Sequence, residues 1–162
     1  MPICAIVDEQ IFCAHGGIPA TVNKIEQVLL EIPVPLIEPE SQSVVAWEML
    51  WNDPISNKEY DEYVNLLKIN NTSLNALAGF LPNTKRGTAY YFGEEAVLTF
   101  LQVNGFSHVI RAHEVIPNGF QFHCGGKVIT IFSSSKYCNG FNESAVALVD
   151  LNKIRIIKVD TN

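Results

Sequence analysis

Val109-Ile110-Arg111-Ala112-His113-Glu114 decides how this chain is read, because an apolar run that begins at Phe106 gives way there to Arg, His and Glu. A sheet interior cannot solvate charge and loops can, so in α/β proteins ligands and metals gather beyond the carboxyl ends of strands. The pattern predicts a strand that ends at a site, with His113 as the first residue to question. Taken alone, a His beside a Glu is more often a structural pair than a ligand, so the rest of the chain has to decide.

Immediately upstream, Gly93 to Gln102 shows helical periodicity through Ala96, Val97, Phe100 and Leu101. Glu94 and Glu95 sit at its dipole-favoured start, and Asn104-Gly105 closes it. Downstream, Pro117-Asn118-Gly119 reads as a turn, Phe120 to Cys124 alternates as a strand, Gly125-Gly126 makes a hairpin turn and Lys127 to Phe132 is a strand. This last strand runs into the polar loop Ser133 to Gly140, which puts Tyr137 where a site wall is expected. His108 and His123 fall inside strand-like runs and read as structural. Ser144 to Leu151 and Lys153 to Val159 form a closing hairpin whose edge is charged by Lys153, Arg155 and Lys158.

Nearer the start, Ile3 to Val7 and Gln10 to Ala14 predict a hairpin around Asp8-Glu9, and its second strand leads into His15-Gly16-Gly17. Paired glycines permit backbone approaches that a side chain would forbid, so a His before them can be aimed from a strand end. Thr21 to Ile32 predicts an amphipathic helix with Thr21 as N-cap and Pro33 and Pro35 as its stop. Val34 to Ser43 reads as an irregular connector, and the apolar Val44 to Trp51 as strand or helix. Pro54 biases Asp53 away from helix and leaves its carboxylate at a turn. From Ile55 to Pro82 the chain turns polar and reads as an inserted excursion with a short helix over Tyr63 to Ile69, then Asn70 to Ser73. Arg86 follows Lys85 and precedes an aromatic run. Its planar guanidinium makes it a candidate anion clamp.

Composition narrows the classes. With 162 residues and 48% hydrophobic residues the chain is long enough for one core. A formal net charge of −6 without a basic stripe argues against nucleic-acid binding, which rests on clustered Lys and Arg. Apolar stretches stop short of membrane-spanning length, and Met1 to Cys4 lacks a basic secretory start, so the expectation is a cytoplasmic protein, with the nucleus as a further location, away from membranes. Cys4, Cys13, Cys124 and Cys138 show neither zinc-type spacing nor a disulfide framework and read as free thiols. The glycosylation sequons at Asn71 and Asn142 carry little weight in such a chain.

His15, Asp53, Arg86, His113 and Tyr137 thus sit after strands or in turns at widely separated places, a pattern that suits a pocket lined by loops from one face of a sheet system. Two histidines can share a metal, an Arg can hold an anionic oxygen and a Tyr can donate a hydrogen bond, a set that favours hydrolysis of a phosphate ester.

The order and wording of several segments make the resemblance specific. Pro2 to Asp8, Ile11 to Ile18, Trp51-Asn52-Asp53-Pro54, Arg86-Gly87-Thr88 with Phe92-Gly93, Arg111-Ala112-His113-Glu114, and Thr130 to Ser133 with Tyr137-Cys138 resemble successive signatures of the phosphoprotein phosphatases, the serine/threonine phosphatases that include calcineurin. What they resemble is the carboxyl-terminal half of the catalytic domain. The resemblance implies an α/β metallophosphoesterase fold, a β-sandwich flanked by helices, spanning 1–162 as a partial domain with a polar insertion at about 55–82. It further implies two divalent metal ions (manganese, iron or zinc) activating a water for attack on phosphoserine or phosphothreonine. His15 and His113 match the two histidine ligands of the second metal, Arg86 a phosphate-binding arginine, Tyr137 the active-site tyrosine, and Asp53 a family acid near the site without an assigned chemical role. A phosphoprotein substrate and a regulatory subunit are the implied partners.

The family's G-D-x-H-G, G-D-x-x-D-R-G and G-N-H-E motifs are absent from the sequence, and with them the first metal's ligands, the bridging Asp and the general acid. Two imidazoles make a poor two-metal site by themselves. The expectation is a serine/threonine phosphatase represented by part of its domain and inactive alone. The alternative is a truncated pseudophosphatase that serves as a protein-binding module. Ala20, Asn52, Lys136 with the loop 139–144, and the long excursion between Asp53 and Arg86 also depart from the family's usual residues. The last two border the expected substrate groove.

Overall fold

Asp8 and Glu9 make the first turn, both at positive φ, and the Gln10 N–H closes it on the Val7 carbonyl at 3.0 Å. The hairpin around them, β1 (Cys4–Val7) and β2 (Ile11–Ala14), is the one expected. The structure, a computed structural model, describes residues 2–69, 78–150 and 153–159. The sequon at Asn71 and the loop reading of Asn70 to Ser73 lie outside the described residues.

After β2 the chain forms α1 (Ile25–Glu31), the single turn α2 (Pro39–Gln42) and α3 (Val44–Trp51), which settles the strand-or-helix alternative as helix. There follow β3 (Asp53–Pro54), α4 (Asn57–Ile69), β4 (Phe80–Pro82), β5 (Tyr90–Phe92) and α5 (Glu94–Asn104). The last elements are β6 (His108–Arg111), β7 (Phe120–His123), β8 (Val128–Ile131), β9 (Ser144–Asp150) and β10 (Lys153–Val159). The main sheet has the order β1-β2-β6-β8-β7, in which β2, β6 and β8 are mutually parallel. A small sheet β3-β5-β4 and the hairpin β9-β10 complete this mixed α/β architecture.

The core forms where α5 lays Ala96, Val97, Phe100 and Leu101 against the sheet, a stripe at helical spacing. Phe12 of β2 meets Phe100 edge-on at 5.0 Å and stacks on Phe106 at 6.0 Å. Phe12, Val109 and Val128 are fully buried, and they lie on neighbouring strands in register. Gly105 ends α5 in the left-handed conformation at φ 70°.

Three expectations are corrected. The first helix starts at Ile25, four residues after Thr21, because Thr21 is taken up elsewhere: its hydroxyl donates to Glu48 Oε1 at 2.7 Å, and the Thr21 and Ala20 N–H groups donate to Glu48 Oε2. Asn104 supplies the missing cap, accepting from the Ile25 N–H at 2.9 Å while its amide donates to the Asn23 carbonyl. Next, the helix expected over residues 63–69 begins at Asn57, and Phe80 and Leu81, read as the end of a polar excursion, are buried in the small sheet. Finally, Asp53 is a buried strand residue and not a turn carboxylate.

Glu48 is 2% exposed and satisfies three donors at once. Glu48→Ala should cost about 3 kcal/mol, since three donors lose a charged acceptor inside the fold. Urea unfolding of the two chains measures it.

Candidate functional site

The carboxyl ends of β2, β6 and β8 share one edge of the sheet, and the ladder does not stop with them. The Ala112 N–H donates to the His15 carbonyl at 3.0 Å, one step past the Ala14–Arg111 pair. His15 and His113 therefore leave adjacent strand ends side by side. His113 Nδ1 lies 2.9 Å from His15 Nε2, and the rings meet edge-on with centroids 4.8 Å apart.

His113 has an unusual backbone. Its φ is 65°, and the Glu114 N–H bonds the Ala112 carbonyl at 2.8 Å, so the residue is the centre of a tight three-residue turn. Such conformations cost energy and recur where a side chain must be aimed. The ring stands perpendicular to Trp51 at 5.2 Å, and His113 Nε2 is buried without a hydrogen-bond partner among the described residues. On the other side, a Cβ on Gly16 would lie 2.6 Å from the Leu50 carbonyl carbon, and one on Gly17 would strike the Phe92 ring. Both glycine N–H groups donate to the Met49 carbonyl at the end of α3. The glycines let α3 come this close to the His15 strand end.

Beneath the pair runs an ionic network. Arg111, the last residue of β6, has no exposed side-chain surface and bonds the Gly16 carbonyl, the Asn52 carbonyl at 3.2 Å, Asp53 Oδ1 at 2.6 Å and Glu114 Oε2 at 2.8 Å. Asp53 is shared: its other oxygen accepts from Arg86 Nε at 2.9 Å and Asn83 Nδ2 at 3.0 Å. Arg86 is held by Asn83 as well, through its own N–H, and one terminal nitrogen reaches the His113 carbonyl at 3.5 Å. Lys85 pairs with Glu114 at 3.3 Å. Three cations thus face two carboxylates, and the surplus is positive.

The surroundings set the protonation states. Burial, then the Arg86 charge, pushes the His113 imidazole down to about 4, and burial with Arg111 and Arg86 lowers that of His15. Both imidazoles are therefore neutral near pH 7, the form that ligates metals. Burial raises the Asp53 carboxyl, but the Arg86 and Asn83 hydrogen bonds and the Arg111 charge outweigh it and hold the group below its ordinary value.

With the proton of each ring on its far nitrogen, the facing His15 Nε2 and His113 Nδ1 fit a pair of metal donors, and the His113 Nε2–H is then the group that lacks an acceptor among the described residues. The N···N gap is close to the roughly 3 Å between adjacent nitrogens each about 2.1 Å from one ion. They do not make a whole centre. Among the described residues no three His, Cys, Asp or Glu side chains gather as a metal site, and Asp53 is committed to two arginines.

Of the five residues expected here, the structure brings together His15, His113, Arg86 and Asp53. Tyr137 is on the loop after β8, half-exposed, with its ring on Phe132 at 5.3 Å and its backbone N–H bonded to Asn142 Oδ1. The strand from which this loop springs ends at the same sheet edge, but among the described residues no hydrogen bond or ring contact joins Tyr137 to the histidines. Sequence reading passed over Arg111, Asn83 and Asn52 as site builders. A cation at the end of an apolar run was the available signal for Arg111, and nothing local marked the two asparagines.

The chain matches the family model of calcineurin-like phosphoesterases over residues 1–117. It is 29% identical over 150 residues to serine/threonine-protein phosphatase BSL2 of Arabidopsis thaliana, an alignment covering 92% of this chain and 13% of that protein. With serine/threonine-protein phosphatase PP1-delta of Caenorhabditis elegans it shares 31% identity over 155 residues, 95% of this chain and 43% of the relative. The solved structure of a Saccharomyces cerevisiae serine/threonine phosphatase with similarity to human phosphatase PP5 superposes with a TM-score of 0.73, covering 100% of this chain and 48% of that one at 20% identity. That likeness shows the fold. The chain spans less than half the length of each of these proteins.

Two outcomes follow from the network. Asp53→Asn removes one of the two carboxylates paired with the fully buried Arg111 and should cost about 3–5 kcal/mol in urea unfolding. Stability should also fall on acidification. The unfolded chain takes up protons on His113 from its ordinary value near 6.5, and on Asp53 from near 4, before the folded chain does, so stability present at neutral pH is lost as pH drops. Unfolding midpoints from pH 7 to 3 check the sign. A midpoint that rises on acidification would contradict it.

Proposed function

Since the chain belongs to the calcineurin-like phosphoesterase family, we propose that it carries one part of a metal-dependent serine/threonine phosphatase site. The observation that carries this reading is the His15–His113 pair, two neutral imidazoles 2.9 Å apart at the carboxyl ends of parallel strands, above two arginines. Serine/threonine phosphatases among the relatives support the substrate class, a phosphoprotein.

In this reading His15 Nε2 and His113 Nδ1 donate to a divalent ion, and the strained turn at His113 fixes the angle of its ring. Manganese, iron or zinc, when bound, would supply charge neutralisation at the phosphate and lower the pKa of a coordinated water. Arg86 is the phosphate clamp. It is 23% exposed while its Nε is held by Asp53, so the guanidinium is oriented and still reachable. Asp53 acts through the arginines: it positions Arg86 and offsets Arg111. Tyr137 lines the groove for the residues flanking the phosphate. The remaining metal ligands come from outside the described residues, and a regulatory subunit would act on the assembled domain. The alternative is a non-catalytic pseudophosphatase that binds proteins through the same surface. The lack of a third metal ligand among the described residues favours it for the chain by itself.

Metal content by mass spectrometry after dialysis against manganese or zinc, with phosphopeptide hydrolysis alongside, tests the reading. His15→Ala and His113→Ala should each lower bound metal by at least about tenfold, whereas His123→Ala, whose ring bonds Thr130 Oγ1, should leave it unchanged. Equal losses in all three variants sink the assignment. Metal retained without turnover, even when the missing ligands are supplied, favours the non-catalytic alternative.

A further inference from the structure

A second concave surface, of about 700 Å³, is walled by the first turn of α4, by β4 and β5, by the start of α5 and by the β7–β8 hairpin. None of the residues assigned to the metal and phosphate reading lines it. Its charge is one-sided. Glu94 and Glu95 line it, and no Lys or Arg does among the described residues. Two other ionisable groups on its wall stay uncharged near neutrality: burial, then the Glu59 charge, pushes the Tyr91 phenol up to about 12, and burial, then Arg111, pushes His123 down to about 4. Two aromatic side chains on separate elements, Tyr60 of α4 and Phe122 of β7, remain 43% and 53% exposed at this wall.

Aromatic faces beside unpaired carboxylates attract an organic cation: the rings take an apolar stem and the edge of the charge, the carboxylates take the charge itself. An anion is disfavoured by both glutamates. A neutral apolar ligand would leave both carboxylates facing it across a partly desolvated surface. We propose that this pocket binds an organic cation with an apolar stem, a guanidinium or alkylammonium, seated against Tyr60 and Phe122 with its charge toward Glu94 and Glu95. The volume accommodates a side chain together with its flanking backbone. A basic residue of a polypeptide and a free polyamine share this chemistry.

The probes are N-acetyl-arginine methylamide and spermidine, titrated to tens of millimolar into the ¹⁵N-labelled chain and followed by amide shifts. N-acetyl-citrulline methylamide, of the same shape without the charge, is the control. Saturable shifts at Gly93, Glu95 and Gly125 are expected with a cation and not with citrulline. The Glu94→Gln/Glu95→Gln double variant should weaken binding by roughly fivefold or more. Tyr60→Ala, on a different element, should weaken it as well and carries the test if the double variant alters the spectrum beyond the pocket. Saturation by the arginine derivative identifies a polypeptide side chain as the ligand, and saturation by spermidine alone identifies a free polyamine. Equal shifts with citrulline, no saturable shift with either cation, or binding indifferent to the glutamates and Tyr60 would overturn the proposal. None of these readings depends on metal or turnover, so they stand apart from the fate of the phosphatase reading.

Discussion

A guanidinium with no path to water sets the terms for this part of the molecule. Arg111 ends the central parallel strand and must find acceptors for its donors inside the protein, because an unpaired buried charge is far costlier than a buried hydrocarbon. It finds them in three chain segments: the Gly16 loop, the adjacent Asn52 carbonyl and Asp53 carboxylate, and Glu114. These are the segments that carry or flank the functional candidates. The same contacts that satisfy a buried charge also fix the distance between the His15 and His113 backbones.

That arrangement links folding to chemistry through electrostatics. Arg86 and Arg111 are tolerable together because Asp53 lies between them, and burial, reinforced by their combined field, lowers the proton affinity of both histidines. The imidazoles are thereby kept as neutral donors, and the surplus positive charge favours an anionic ligand above them. Removing Asp53 would disturb all of these at once, which is why its role is one of holding other groups.

Much of the fold was legible because it follows local rules. The β1–β2 hairpin, the α5 stripe with its Gly105 cap, the β7–β8 and β9–β10 hairpins and the placing of His15 and His113 after strands all come from patterns within about ten residues. What failed was long-range competition. Thr21 could cap a helix, but Glu48, 27 residues on, offered its hydroxyl and N–H a charged acceptor, and Asn104 capped α1 instead. Asp53 resembled a turn residue until two arginines from other segments drew it into the interior. Arg111 stands at a visible boundary in the sequence, yet its role depends on three distant partners that no local pattern marks. Phe80 and Leu81 were hidden by the polar residues before them. Position after strands and in turns marks the five candidate site residues, the family resemblance gives them roles, and in the structure four of the five adjoin.

The clasp of Asp53 on Arg86 has a further consequence. Together with the pairing of β3 and β4 to β5, it ties the chain at residue 53 to the chain near residue 86, so everything between is a closed loop whose ends are already held. Lengthening such a loop costs only about 0.6 kcal/mol per doubling. The segment that carries α4 can therefore change length and sequence over generations without moving a histidine. Variation can collect there, and the wall it contributes to the acidic pocket is free to diverge while the strand ends stay fixed.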